Sequence, residues 1–171
     1  MAFGILIMGL NGCGKTTVGS IVARKLGFLH MDAEDYYFSH PGDYTLSRTQ
    51  EEVHRLMEAD ASISRGFVLS CVRCNLSDAL VQQVRLAVVL RTSPESRAQR
   101  IHAREEARFG KRVQPGGDLY ESQLAFRAFA ASRSEDTVTQ SLSQLSCPVI
   151  ELDAALSPEI LAEKICLLTA S

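Results

Sequence analysis

Gly9-Leu-Asn-Gly-Cys-Gly14-Lys15-Thr16 lies ten residues into a 171-residue chain and satisfies G-x-x-x-x-G-K-[ST] at every fixed position. Its flanks supply the mechanical context. Phe3-Gly-Ile-Leu-Ile-Met8 is an apolar run of strand length, and Val18, Ile21, Val22 and Leu26 follow at helical spacing. Strand, glycine-rich turn and helix together make a phosphate cradle. Backbone N–H groups from Asn11, Gly12, Cys13, Gly14, Lys15 and Thr16 would wrap a β-phosphate at the positive end of a helix, with Thr17 beside them. Lys15 adds a mobile charge for the β- and γ-phosphates, and the Thr16 hydroxyl is placed to ligate Mg²⁺. The stretch predicts binding of a nucleoside triphosphate.

Length and composition bound the rest. The chain is of a size for one domain over residues 1–171 with a single core. A net charge of −2 gives no overall attraction to nucleic acid or to an anionic membrane. No apolar stretch approaches the roughly 20 residues that span a bilayer. The first strand starts at once, so no signal peptide is expected. Five cysteines, Cys13, Cys71, Cys74, Cys147 and Cys166, form no disulfide framework and suit a cytoplasmic, reducing setting. Cys71-Val-Arg-Cys74 has no second pair, and both thiols read as packing residues.

Outward from the loop, apolar strands alternate with helices. Strands are expected at 3–8, Phe28–Met31, Gly66–Ser70, Leu86–Leu90 and Val149–Leu152. Helices are expected at 15–26, ended by Gly27; near Leu46–Ser64, after a polar stretch with Pro41, Gly42 and Asp43; weakly at Asp78–Gln83; from Pro94 to about Phe109; over most of Leu119–Leu142; and at Pro158–Leu168. Fully apolar strands between helices indicate a parallel sheet covered on both faces, hence a three-layer α/β/α sandwich of the P-loop nucleoside triphosphate hydrolase class.

Absences narrow the class. There is no Asn-Lys-x-Asp for guanine selection and no glutamine-bearing transporter signature, and the chain is too short for an AAA+ module. A short metabolite or nucleoside kinase remains, supported by three further segments.

Asp32-Ala-Glu34-Asp35 follows the second strand, where ligands of a parallel sheet sit. A carboxylate there can hold a Mg²⁺ water or take a hydroxyl proton, so Asp32 is a candidate catalytic and metal residue and Glu34 and Asp35 are candidate acceptor contacts. An acidic helix N-terminus is the plainer reading. Next, Arg97, Arg100, Arg104 and Arg108 recur on one helical face and run into Gly110-Lys111-Arg112. Segment 97–112 holds six basic residues against Glu105 and Glu106. Such a helix fits an arginine-rich lid over about 100–133, in which Arg104, Arg108 and Arg112 neutralise the moving phosphate. Arg97 alone reads better as part of a solvated face. Finally, Arg73, just beyond the third strand, is within reach of an acceptor, and Ser70 stands where many P-loop proteins place a metal-holding Asp.

With these residues in view, the chain resembles the nucleoside-monophosphate-kinase-like P-loop phosphotransferases, which include adenylate, shikimate and gluconate kinases. Gly27-Phe-Leu-His-Met-Asp32-Ala-Glu34 is similar to the shikimate kinase strand ending in Asp-x-Asp, and Phe67-Val-Leu-Ser70-Cys71 to the gluconate kinase strand ending in Cys-Ser. The resemblance implies that Asp32 lies near Mg²⁺ and Glu34 near the acceptor. It implies that Arg100 of Arg100-Ile-His-Ala-Arg104 borders the adenine, that Arg104 reaches phosphate, and that Arg127 or Arg133 is a later lid-side arginine. Asp153-Ala154-Ala155 then contacts adenine through its backbone. The adenylate kinase segment that grips AMP is missing, as is the glycine-rich substrate loop of shikimate kinases.

The expectation is an ATP- and Mg²⁺-dependent phosphotransferase acting on a small acceptor: a nucleoside monophosphate, a nucleoside or a hydroxylated metabolite. Its acceptor would meet a helical segment over about 33–64, where Tyr36-Tyr37-Phe38 offers either a stacking surface or core. A nucleotide-binding regulator or slow ATPase is the alternative. Nucleic acid is disfavoured as a partner because acidic residues outnumber basic ones outside 97–133. Oligomeric state is not encoded legibly.

Overall fold

The computed structural model describes residues 2–40, 43–73 and 75–169; Pro41, Gly42 and Cys74, named above, lie outside them. Five strands build one sheet: β1 (Phe3–Met8), β2 (Leu29–Asp32), β5 (Gly66–Cys71), β6 (Val84–Arg91) and β7 (Val149–Asp153). Their order is β2-β5-β1-β6-β7, and every neighbouring pair is parallel. Successive residues Ile5, Leu6, Ile7 and Met8 are each 0% exposed. Because successive side chains point to opposite faces, both faces of β1 are covered, as the unbroken apolar run predicts. The α/β class with a covered parallel sheet stands as expected.

Helix α1 (Lys15–Leu26) buries Val18, Ile21, Val22 and Ala23 and packs against α8 (Pro158–Thr169), which buries Leu161, Ala162 and Ile165. Gly27 ends α1, its N–H returning to the Ala23 and Arg24 carbonyls.

Two expectations are corrected. The segment before the third helix is not simply a loop. A short helix α2 (Ala33–Tyr37) leads into an antiparallel pair, β3 (Phe38–His40) and β4 (Asp43–Ser47). Helix α3 (Gln50–Ser62) then starts later than Leu46, because Thr49 and Glu52 form a reciprocal capping box that fixes the start. Arg48 braces this turn, one guanidinium nitrogen donating to the carbonyls of Asp35, Tyr36 and Phe38 at 2.7–2.9 Å.

The second correction concerns 119–142. After α4 (Asp78–Val81), α5 (Pro94–Phe109) and a 3-10 turn over Gly110–Val113, that stretch divides into α6 (Tyr120–Ser132) and α7 (Asp136–Leu142). Arg133 is extended at the break, with ψ of 130°. The break brings Arg133 and Glu135 back toward the sheet, which an unbroken helix would not do.

Candidate active site

The P-loop and Asp32 stand at the carboxyl ends of β1 and β2. β1 ends at Met8, and the loop that follows has Gly12 and Gly14 in left-handed conformations (φ 87° and 86°) that a side chain disfavours. Lys15 opens α1. Its ammonium donates to the Leu10 carbonyl at 3.2 Å, folding the side chain back over the loop. Burial pushes this ammonium below the ordinary lysine value, with the Cys13 and Cys71 thiols and then Glu34 and Asp32 opposing the shift. A charge held in poor solvent at the mouth of a ring of amides is suited to an anion.

Register brings the candidate metal residues together. Asp32 of β2 pairs with Ser70 of β5, and the Thr16 hydroxyl donates to Asp32 Oδ2 at 2.6 Å. The other oxygen, Oδ1, accepts the Glu34 N–H at 3.1 Å and caps α2. The capping role and the proposed metal role therefore belong to the same carboxylate, one oxygen to each. Thr16 and Asp32 together offer only hard oxygen donors. No cluster of three or more His, Cys, Asp or Glu capable of a full metal cage occurs among the described residues. A Mg²⁺ ion that takes one or two protein oxygens and completes its shell with phosphate and water fits this donor set.

Ser70, buried at 1% exposure, stands in the usual aspartate position but is otherwise committed. Its hydroxyl donates to the Lys15 carbonyl at 3.1 Å and lies 3.0 Å from His30 Nε2. It ties the start of α1 to the sheet. Glu34 is on the rim, and its carboxyl is pushed above the ordinary glutamate value, first by loss of water and next by Asp32; Lys15 and Arg104 pull the other way. Arg104, exposed on α5, is thus within electrostatic reach of Glu34. Asp35 is exposed, its carbonyl taken by Arg48. Thr17 is also exposed on the first turn of α1.

The arginine series is divided by the fold. Arg100 donates to the Ala154 carbonyl at 2.6 Å, so the two features associated with adenine by resemblance meet. Arg108 lies over the Phe109 ring, 5.0 Å from its centroid. Arg112 is fully engaged by Asp118, both nitrogens of the fork at 2.6–3.2 Å from its oxygens, and is not directed to the P-loop in this state. Arg73 is exposed beyond β5, close enough to Arg133 for the two cations to repel. Burial is the first cause holding the Arg133 guanidinium below its usual value.

Several residues named from the sequence take places that the sequence did not specify. Arg97 is no solvated residue: it is 5% exposed, with one nitrogen 3.4 Å from the Asn11 carbonyl. Arg133 donates to the Asn11 side chain at 3.1 Å and stacks on Phe129. Arg127 instead pairs at 3.3 Å with Glu105, a carboxylate buried between α5 and α6. Tyr36 belongs to the core, its hydroxyl donating to Asp60 at 2.5 Å, so the first of the three aromatics offers no stacking surface. The three- and four-residue steps of the arginines were visible in sequence. Which of them turns inward depends on the angle at which α5 crosses the loop.

A family model described as AAA domain matches residues 5–112, from β1 through α5 into the 3-10 turn. The length argument against an AAA+ module is thus narrowed, since a model of that description does match the nucleotide-binding core. The uncharacterised protein YqaC of Bacillus subtilis strain 168 is 30% identical over 157 residues, covering 87% of each chain. A probable gluconokinase of Xenopus tropicalis is 35% identical over 80 residues, 39% of this chain and 40% of that one. Among solved structures, shikimate kinase from Bacteroides thetaiotaomicron superposes with a TM-score of 0.58 at 18% identity over 99% of each chain, a likeness of fold. The chain therefore belongs to the AAA domain family, with a P-loop core and a fold like that of the small-molecule kinases.

Proposed function

We propose that the protein transfers the γ-phosphoryl group of ATP, with Mg²⁺, to a hydroxyl of a small acceptor that also carries an anionic group. One observation carries the reading: Thr16 bonds Asp32 at the carboxyl end of β2, beside Lys15 at the opening of the phosphate cradle and with Glu34 two residues further on. A module that only bound nucleotide would need the cradle and its metal carboxylate but not a second carboxylate, Glu34, in electrostatic reach of Lys15.

The loop amides from Asn11 to Thr16 and the end of α1 hold the β-phosphate, and Lys15 leaves the Leu10 carbonyl to meet the β- and γ-oxygens. Thr16 and Asp32 would hold Mg²⁺, which when bound offsets the phosphate charge. Glu34 or Asp32 orients the acceptor hydroxyl and takes its proton as the oxygen bonds to phosphorus and the bond to the ADP oxygen breaks. Arg104 screens the transferring group. Arg108 and Arg112 join after lid movement, Arg112 once Asp118 releases it. Arg73 and Arg133, two adjacent cations with no carboxylate in ion-pair contact among the described residues, suit an acceptor carboxylate or phosphate better than a neutral nucleoside. The gluconokinase likeness supports a hydroxy acid in that role. The segment 33–64 would form the acceptor wall and 100–133 the lid of a single domain, acting in a cytoplasmic setting.

The test is ADP release from ATP-Mg²⁺ across a panel of hydroxy acids, sugar acids, nucleosides and monophosphates, with Lys15→Ala as the blank. Strong stimulation by a hydroxylated anion, lost by about 10²-fold or more in Lys15→Ala, is the expected result. Near-normal turnover in Lys15→Ala would sink the assignment, and slow acceptor-independent hydrolysis would favour a regulator.

A further inference from the structure

Arg97 is a charged side chain in the one place where the cradle has no charge to spare it. It sits one turn into α5, 95% removed from solvent, against the Asn11–Gly12 turn of the P-loop. The approach is close: a Cβ at Gly12 would lie 2.7 Å from the Arg97 carbonyl oxygen and 3.0 Å from its Cα. One guanidinium nitrogen reaches the Asn11 carbonyl at the long distance of 3.4 Å, and Nε, fully buried, has no partner. No carboxylate lies within ion-pair distance of Arg97 among the described residues. Glu135, which with Arg97 acts on the Cys13 thiol, is already taken by Arg91 at 2.6 Å.

Buried charges in proteins are ordinarily paired, because the loss of hydration is severe. A guanidinium that is buried, poorly bonded and unpaired in the protein alone has its counter-ion elsewhere. The group that enters within reach of the Asn11–Gly12 turn is the phosphate chain of a nucleotide. We propose that Arg97 is a positioning residue of the cradle: it steadies the Asn11 carbonyl from behind, and its charge is balanced only when nucleotide phosphate is bound. Asn11 shares in this, since its side chain is held by Arg133 at the foot of the lid while its carbonyl faces Arg97. The loop is therefore gripped from α5 and from the α6–α7 junction at one residue. The inference rests on the ATP-binding reading but assigns a role that the P-loop motif does not contain.

The experiment compares wild type, Arg97→Met and Arg97→Lys for ATP affinity by calorimetry, for thermal stability without nucleotide, and for KM and kcat in ADP release. Methionine keeps the apolar stem and removes the charge. The expected result is a split. Without nucleotide, Arg97→Met is as stable as wild type or more so, because an unpaired buried charge has gone. ATP binding weakens about ten-fold, seen mainly in the KM for ATP, whereas Arg97→Lys stays within about three-fold of wild type. Three results overturn the proposal: Arg97→Met binding ATP as wild type does; Arg97→Met melting well below wild type without nucleotide, which would make the guanidinium a structural tie; or Arg97→Lys losing as much ATP affinity as methionine. A wild-type protein that does not bind ATP at all would sink the nucleotide reading itself, an outcome separate from these.

Discussion

Lys15 and Glu34 are displaced in opposite directions by the same crowding. Burial lowers the lysine and raises the glutamate, and each partly offsets the other's shift. The sign of the consequence follows from which form works. Lys15 must be protonated to meet phosphate, so kcat/KM for ATP should fall on its alkaline side at a pH below the ordinary lysine range. Glu34 must be ionised to orient the hydroxyl, so kcat/KM for the acceptor should fall on its acid side at a pH above the ordinary glutamate range. In kcat the alkaline limb should move upward, since bound phosphate favours the charged lysine. Rate profiles measured from mildly acidic to strongly alkaline pH check this. Glu34→Gln should remove the acid limb, and an acid limb that survives in that variant assigns the titration elsewhere. His30, also lowered by burial, sits behind Ser70 and provides the natural second candidate.

At the scale of an element, α3 shows how a short local code sets an acceptor-side wall. Thr49 Oγ1 accepts the Glu52 N–H at 3.3 Å, and Glu52 returns a carboxylate oxygen to the Thr49 N–H at 2.9 Å. The inner face is Val53, Met57 and Ala61, each 1% exposed. Thr49→Ala should cost about 1 kcal/mol, lowering the melting temperature by roughly 2–4 °C for a chain of this size. Nucleotide affinity should be unaffected, because the cap touches no loop residue. A chemical denaturation series read alongside ATP binding separates the two, and loss of ATP affinity in Thr49→Ala would mean that α3 and the cradle are mechanically coupled. The elements of the proposed lid are different in kind. Helix α6 buries only Ala130 and leaves Leu124 and Phe129 about half exposed. Its firm attachments are the Arg127–Glu105 pair and the Arg133–Asn11 bond, both polar and both replaceable. A helix so lightly packed belongs to the low-stability end of a structure, where moving parts are found.

For the molecule as a whole, the proposed binding site is built from loops that hold a buried, poorly bonded charge, while the central strand beneath is apolar and buried. Ligand should therefore stabilise the native state strongly. At a concentration about 100-fold above its Kd, a nucleotide contributes about 2.7 kcal/mol. That should raise the melting temperature by roughly 5–11 °C, and a scan with and without ATP-Mg²⁺ measures it. Lys15→Ala should lose most of the rise while keeping the unliganded melting point close to that of wild type, since Lys15 makes one bond and buries its charge at a cost. A rise of equal size in Lys15→Ala would place the nucleotide somewhere other than the P-loop. No helix among the described residues is long and apolar enough to cross a membrane, which matches the absence of any long apolar run in the sequence.

The sequence alone determined the sheet, the P-loop and the place of Asp32. Apolar runs of strand length can only be buried on both faces, and a G-x-x-x-x-G-K-T turn between strand and helix has one geometry. The partnership of Asp32 with Thr16 needed the strand order as well, since β2 lies two places from β1 and this brings the carboxyl end of β2 beside the loop. What the sequence did not decide is how the arginines are shared out. Arg97, Arg100, Arg104 and Arg108 look alike along the chain, yet one is buried behind the loop, one bonds the last strand's turn, one is exposed within electrostatic reach of Glu34 and one lies on a phenylalanine. The β3–β4 pair and the break at Arg133 were equally hidden, since the first depends on Arg48 gathering three carbonyls and the second on a contact 122 residues away with Asn11. Periodicity reports which residues share a face of one element. Only the packing of elements fixes what that face meets, and for a guanidinium that difference separates a solvated charge from one waiting for phosphate.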